Sequence, residues 1–299
     1  MRGSTPSPLR GTPPTASREK NPFSLARSVG EYGEAGRGSP NESASQLISG
    51  TLNGQPTTWL LPEEVPVALQ FNSTPYAVMM ATPADLEDFA IGFALSEGLV
   101  TRASHISNVL IMPSGEGFTA DIAIDEKNII RERMVSRSLE GRVGCGLCGI
   151  EDMADAIRMP AGKLTPTRLD PKAVARAFKA LPDHQPMNAV NRTVHAAAWC
   201  SAYGAILLAR EDVGRHNALD KLIGAMAQSS NSPCDGFVLM SSRCSFELVQ
   251  KCAIVGISAL ATVSAPTALA HRLARQAGLN LAALSKQGVM IFDGDEHAN

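Results

Sequence analysis

Cys145 and Cys148 stand three positions apart and bracketed by glycines, in the run Arg142-Val143-Gly144-Cys145-Gly146-Leu147-Cys148-Gly149. Thiols at this spacing, on backbone too flexible for a packed core, suit three kinds of chemistry: a dithiol redox pair, half of a structural zinc site, or carriage of sulfur as a persulfide. Structural zinc needs four ligands, and no second pair exists. The remaining cysteines, Cys200, Cys234, Cys244 and Cys252, stand singly. A thioredoxin-like pair opens a helix early in a βαβ pattern, whereas this pair sits mid-chain.

A second concentration of chemistry is the run Glu211-Asp212-Val213-Gly214-Arg215-His216-Asn217, with two acids, an Arg, a His and an Asn around a glycine. It reads either as a ligand-binding loop or as a helix start capped by Asn217 with salt-linked neighbours. Ser241-Ser242-Arg243, with Glu247 and Lys251 following, reads as hydroxyls and helix amides beside an Arg, a plausible anion or nucleotide site. Ser264-Ala265-Pro266-Thr267 repeats the polar strand-to-helix pattern a third time.

The elements that must position these groups fall into two folded parts after a tail. Residues 1–45 are rich in Ser, Pro, Gly and Arg without apolar periodicity, which predicts a disordered tail; its four glutamates argue against a transit peptide. Residues 46–150 form a first α+β domain ending in the cysteine loop. Strands are expected at 65–71, 76–80, 106–112 and 118–124 around one helix. Thr82 is its expected N-cap, Pro83 its first residue and Gly98 its stop, and Glu87, Asp88, Ser96 and Glu97 are assigned to a solvated face. Residues 151–299 hold bridging helices at 151–159 and 171–181, then alternating elements. Strands are expected at 202–208, 237–240, 258–263 and 289–292, and helices at 218–227, 246–256 and 266–277. This alternation predicts a layered α/β sheet, within an α+β fold overall, and such sheets bind ligands at the carboxyl ends of their strands. Three polar loops at one sheet edge outline a cleft.

The 299 residues are 44% hydrophobic and 19% charged, enough for one large core or two modest ones. A formal charge of −2 gives no electrostatic footprint for nucleic acid or an anionic membrane. No apolar run is long enough to span a bilayer and no signal core is present, so a soluble, cytoplasmic protein with reduced thiols is expected.

Together these motifs resemble the FdhD/NarQ family of formate dehydrogenase accessory sulfurtransferases, over about residues 51–292. The resemblance rests on Thr82-Pro83 with Leu86-Glu87-Asp88-Phe89 and Gly92-Phe93, on Ser96-Glu97-Gly98, and on Cys145-Gly146-Leu147-Cys148-Gly149. It continues through the run from Glu211 to Lys221, Ser241-Ser242-Arg243, Phe246-Glu247-Leu248-Val249-Gln250-Lys251 and Ser264-Ala265-Pro266-Thr267. The resemblance implies a sulfur carrier between a cysteine desulfurase and the bis-molybdopterin guanine dinucleotide molybdenum cofactor of formate dehydrogenase. Cys145 would bear the persulfide, Cys148 would assist, and the protein would be a homodimer with a cytidine deaminase-like C-terminal domain. The formate dehydrogenase catalytic subunit is the implied recipient.

A zinc deaminase needs His-x-Glu and a later Cys-x-x-Cys. Here His195 is followed by Ala196 and Ala197 and no such pair comes after it, so deamination and a bound metal are not expected; His195 either lines the site or packs. The family's Thr-Gly-Gly before the His is replaced by Asn191-Arg192-Thr193-Val194. Its nucleotide-contacting segment reads Ala283-Leu284-Ser285-Lys286-Gln287-Gly288-Val289, where Lys286 keeps a charge without a guanidinium's bidentate pairing. On this reading Arg215, Arg243, Lys251 and Lys286 are phosphate candidates. Asp212 would accept from a guanine edge, and Glu211, His216, Asn217 and Ser242 would shape the site. Competing readings are a cofactor-binding chaperone without sulfur chemistry, a paralogue serving another molybdoenzyme, and a zinc-dependent structural module.

Overall fold

A computed structural model of the chain describes residues 44–134, 157, 159–160, 162–229 and 235–292. The expected tail, the Cys145–Cys148 loop and the helix at 151–159 lie wholly or almost wholly outside the described residues. Among the described residues no helix is long and apolar enough to cross a membrane.

The chain enters through a two-stranded hairpin, β1 (Ser45–Leu52) and β2 (Gln55–Pro62), reversed at Asn53 and Gly54. Both have positive φ, 51° and 81°, as a tight hairpin turn of primed type requires. Periodicity did not predict these strands, because nearly every side chain on them is exposed and no half-buried alternation forms. A four-stranded sheet follows from β3 (Val65–Phe71), β4 (Thr74–Ala81), β5 (Ile106–Ser114) and β6 (Gly117–Ile124), in the order β4-β3-β6-β5. Val67, Leu69 and Phe71 on β3, and Ala120, Ile122 and Ile124 on β6, point at alternate positions into the core.

Helix α1 (Leu86–Ser96) covers that sheet's inner face. It starts three residues later than the Thr82 cap predicts, with Asp85 in the left-handed region at φ 52°. Thr82 is committed elsewhere: its amide donates to Asp212 Oδ2 at 3.0 Å, and its Oγ1 accepts from the Val213 amide at 3.1 Å. Gly98, at φ +70°, ends the helix as expected.

The expected solvated face of α1 is instead an interface; only Glu87 is exposed. Asp88 meets Arg210 at 2.7 Å, and Ser96 donates to Asp220 at 2.6 Å. Both partners belong to the second half, which presses α4 (Arg215–Ala227) onto α1. The crossing is glycine on backbone. A Cβ on Gly92 would enter the Asp220 carbonyl, and one on Gly224 would enter the Asp88 carbonyl.

The second half is a six-stranded sheet of β7 (His195–Ser201), β8 (Ile206–Asp212), β9 (Gly236–Cys244), β10 (Ala259–Pro266), β11 (Asn280–Ser285) and β12 (Gly288–Phe292), ordered β12-β11-β10-β9-β7-β8. Strands β9, β10 and β11 are parallel, while β7 and β12 run against their neighbours. The strand expected at 202–208 is a turn followed by β8. Gly204 has φ +81° and lies so close to the Ala173 carbonyl of α2 (Pro171–Ala180) that no side chain fits there.

Helices α4, α5 (Phe246–Ile254) and α6 (Ala268–Ala277) cover one face of this sheet and α2 covers the other; a short α3 (Pro186–Asn191) precedes β7. Alternation on the strands shows the two layers. Ala197, Trp199, Val238 and Met240 join the cluster on the first face, and Ala196, Ala198, Cys200 and Leu239 the cluster under α2. The first cluster runs unbroken from Val67 in the small sheet to Leu281 in the large one.

Candidate functional site

Topology brings the separate polar motifs to one edge of the six-stranded sheet. Because β7 runs against β8 and β9, its first residue, His195, pairs with Asp212 at the last position of β8. The ends of β9 and β10, and the β11–β12 turn, reach the same edge. His195, Arg215, His216, Ser242, Arg243 and Lys286 therefore share one rim. From the β11–β12 turn to the end of β8 is four strand spacings, about 19 Å at ~4.8 Å each.

The polar centre of the rim lies where α4 and α5 begin. The N-caps Gly214 and Ser245 place no side chain on the first amides of either helix. Around them lie buried polar atoms: Arg215 Nε has no hydrogen-bond partner, and His216 Nε2, Ser245 Oγ and Glu247 Oε2 interact with one another without closing a well-formed hydrogen bond. His216 Nε2 is 3.8 Å from Glu247 Oε2, too far for a hydrogen bond and close enough for attraction when the imidazole is charged. Burial alone would raise the Glu247 carboxyl, but His216 and the Ser245 hydroxyl outweigh it and hold it at about 2. His195 is pushed below its ordinary value by burial and by the charges of Arg215 and His216, so its imidazole is neutral here. Cations, an ionised carboxylate and buried polar atoms thus meet at two helix starts, the chemistry that a polar ligand carrying both acceptors and donors would need.

Other expected site residues are absorbed into the fold. Asp212 is fully buried: Oδ1 accepts from the Gly214 amide at 2.8 Å and from Asn217 Nδ2 at 3.0 Å, while Oδ2 meets Lys221 Nζ at 2.6 Å. It has no oxygen left for a guanine edge. Asn217 also donates to the Met80 carbonyl at 2.8 Å, a link between the halves. The Lys251 ammonium, expected beside a phosphate, is surrounded by Asp220, Glu97 and Ser96 at 2.9, 3.2 and 2.9 Å. Burial alone would lower Lys251, but the two carboxylates outweigh it and raise it, so it is charged and neutralised internally. Glu211 accepts from the Met187 and Asn188 amides at 2.8 and 2.9 Å and so anchors the start of α3.

The C-terminal segment Leu284, Ser285, Lys286, Gln287, Gly288 and Val289 forms the β11–β12 turn, where Ser285 Oγ donates to the Gly288 carbonyl at 2.8 Å and Lys286 stands exposed. Arg243 is exposed, and Ser242 is buried with its hydroxyl on the Arg243 carbonyl at 3.1 Å. Cys145 and Cys148 lie outside the described residues. Ser245 and Glu247 were the residues least visible as site members: one looks like a cap, the other like a first-turn acid that favours the helix dipole. Their convergence on His216 depends on β8 and β9 lying on either side of β7.

The sequence matches the FdhD/NarQ family over residues 62–298. The chain belongs to that family. Relatives include the sulfur carrier protein FdhD of Chromobacterium violaceum, 50% identical over 230 residues covering 75% of this chain and 84% of that one. The FdhD of Cupriavidus necator is 48% identical over 77% of this chain and 80% of that one. In fold, the chain matches a crystal structure described as a formate dehydrogenase accessory protein from Desulfotalea psychrophila. The TM-score is 0.61 at 23% identity, covering 84% of this chain and 97% of that chain. The mixed α+β architecture is thus shared with that structure.

Proposed function

We propose that this protein is a sulfur carrier: Cys145 accepts persulfide sulfur from a cysteine desulfurase, and the sulfur passes to the bis-molybdopterin guanine dinucleotide molybdenum cofactor used by formate dehydrogenase. In the loading step the Cys145 thiolate attacks the outer sulfur of the donor's persulfide. A new S–S bond forms as the old one breaks, and the donor cysteine leaves as a thiolate. The cofactor is substrate here, held along the sheet rim with Arg215, Arg243 and Lys286 toward its phosphates and with His216, Ser245 and Glu247 offering both donors and acceptors to its polar groups. Its metal would receive the sulfur, giving up the two electrons that take sulfane sulfur to sulfide while the S–S bond breaks and Cys145 leaves as a thiolate.

The observation that carries this reading is the rim itself, a stretch of about 19 Å bearing cations, two helix starts without an N-cap side-chain bond, and buried polar atoms. The other cysteines narrow the choice of thiol. Burial pushes Cys200 and Cys244 up to about 12 and Cys252 higher still, so none of the three offers a thiolate near neutral pH.

The test is transfer of labelled sulfur from cysteine through a purified desulfurase, under non-reducing conditions. Label is expected on the wild type and on Cys148→Ala, and should be absent from Cys145→Ala. A wild type that takes no label from an active desulfurase would sink the sulfur-carrier reading and leave a cofactor-binding chaperone.

A further inference from the structure

A groove of about 740 Å³ opens at the far end of α4 from the rim, between the C-terminal ends of α1, α4 and α5. Leu95, Ile223, Met226 and Ile254 wall it, an apolar lining in the size range of pockets that seat a ligand or an anchoring side chain, ~300–1,000 Å³. Arg102 and Arg133 stand beside it, and neither has an ion-pair partner among the described residues. An apolar floor beside two uncompensated cations fits an apolar anchor flanked by acids.

The groove's position in the chain says what would use it. Arg133 on one wall directly precedes Met134, and Met159 and Pro160 form another wall. Residues 135–158, which include Cys145 and Cys148, lie between these two walls in sequence. On the sulfur-carrier reading, the donor acts on chain that is continuous in sequence with both walls. Ile223 and Met226 lie about 12–17 Å along α4 from Arg215, at ~1.5 Å per residue, so a partner seated here leaves the rim free for the cofactor.

We infer that this groove is the docking surface for the sulfur-donor protein, which inserts an apolar side chain flanked by acidic residues paired with Arg102 and Arg133. The inference rests on the sulfur-carrier reading above. Charged groups at the edge of an interface act mainly on encounter, so their loss slows association and flattens its salt dependence.

The experiment measures labelled-sulfur loading of the full chain from a purified cysteine desulfurase, over a range of carrier concentrations and salt. Loading from inorganic polysulfide, which needs no docking protein, runs in parallel. The double variant Arg102→Glu/Arg133→Glu is expected to load from the desulfurase at least tenfold more slowly at low carrier concentration. Its rate at saturation should be unchanged and its salt dependence reduced, and it should load from polysulfide as the wild type does. Ala227→Trp, at an exposed position on the groove's edge, tests the apolar part without changing charge and should raise the KM for carrier similarly.

Wild-type kinetics in both variants would overturn the docking surface and leave the sulfur-carrier reading intact. Equal loss of polysulfide loading would also overturn it, since the defect would then lie in the thiols. Conversion of a dimer to monomers by either variant would assign the groove to a second copy instead. A wild type that loads from polysulfide and not from the desulfurase would remove both the surface and the reading it rests on.

Discussion

Burial sets the chemistry available to each cysteine. Cys200 faces the cluster beneath α2, while Cys244 and Cys252 lie in the main core, and low-dielectric surroundings disfavour all three thiolates. Iodoacetamide applied to the native protein at pH 7.5 is therefore expected to leave Cys200, Cys244 and Cys252 unmodified by peptide mass spectrometry, and to modify all three after unfolding. Glu247 has the opposite character: its carboxyl sits at about 2 against an ordinary 4.5. A folded-state value below the unfolded one adds stability above pH ~4.5, and that stability disappears as pH falls toward 2. Glu247→Gln should thus be less stable than the wild type in urea at pH 7, with the difference shrinking toward pH 2. A difference constant with pH would show that the carboxylate's charge contributes nothing.

Elements place these residues by close approach. Helices α1 and α4 meet backbone to backbone at Gly92 and Gly224, and that contact fixes where Arg215 and His216, at the start of α4, stand relative to the sheet rim. Gly224→Ala puts a methyl where the Asp88 carbonyl lies, so the helices must move apart. We expect a loss of about 1–3 kcal/mol in urea unfolding, the usual range for overpacking, together with weaker binding of a guanine nucleotide at the rim. Most of these elements were legible in sequence. The apolar alternation in β3 and β6 and the Asp170-Pro171 start of α2 announce their structures, and the Asp170 side chain caps the Lys172 amide at 3.0 Å. The start of α1 was not, because Thr82 bonds to groups 130 or more residues away in place of its own helix.

At the scale of the whole molecule, the two halves are joined by buried charge as well as by the shared core. Lys221 and Asp212 are both fully buried, 2.6 Å apart, and Lys221 also donates to the Thr82 carbonyl at 2.9 Å. Removing one partner of such a pair strands the other in a low dielectric. Lys221→Met should cost about 3–5 kcal/mol, and Lys221→Met/Asp212→Leu less than the sum of the single changes. Because the main cluster contains residues of both sheets, unfolding should be a single transition, with far-UV circular dichroism and the fluorescence of buried Trp199 changing together. Two separated transitions would mean that the halves fold independently.

Residue types and local periodicity by themselves determined the mixed α/β pattern, the paired thiols of Cys145 and Cys148, and the polar run around Arg215 and His216. Those are properties of neighbouring residues, and nearest-neighbour chemistry is what a sequence displays. Which polar residues are left open at the rim was decided only by tertiary structure. Asp212, Asn217 and Lys251 looked as available as Arg215 and His216, yet partners from Met80, Thr82, Glu97 and Asp220 enclose them. The physical reason is that a buried charge must find a counter-charge or a hydrogen bond. Those partners come from distant parts of the chain, so only the packing of α1 against α4 reveals which groups are satisfied and which are left open at the rim.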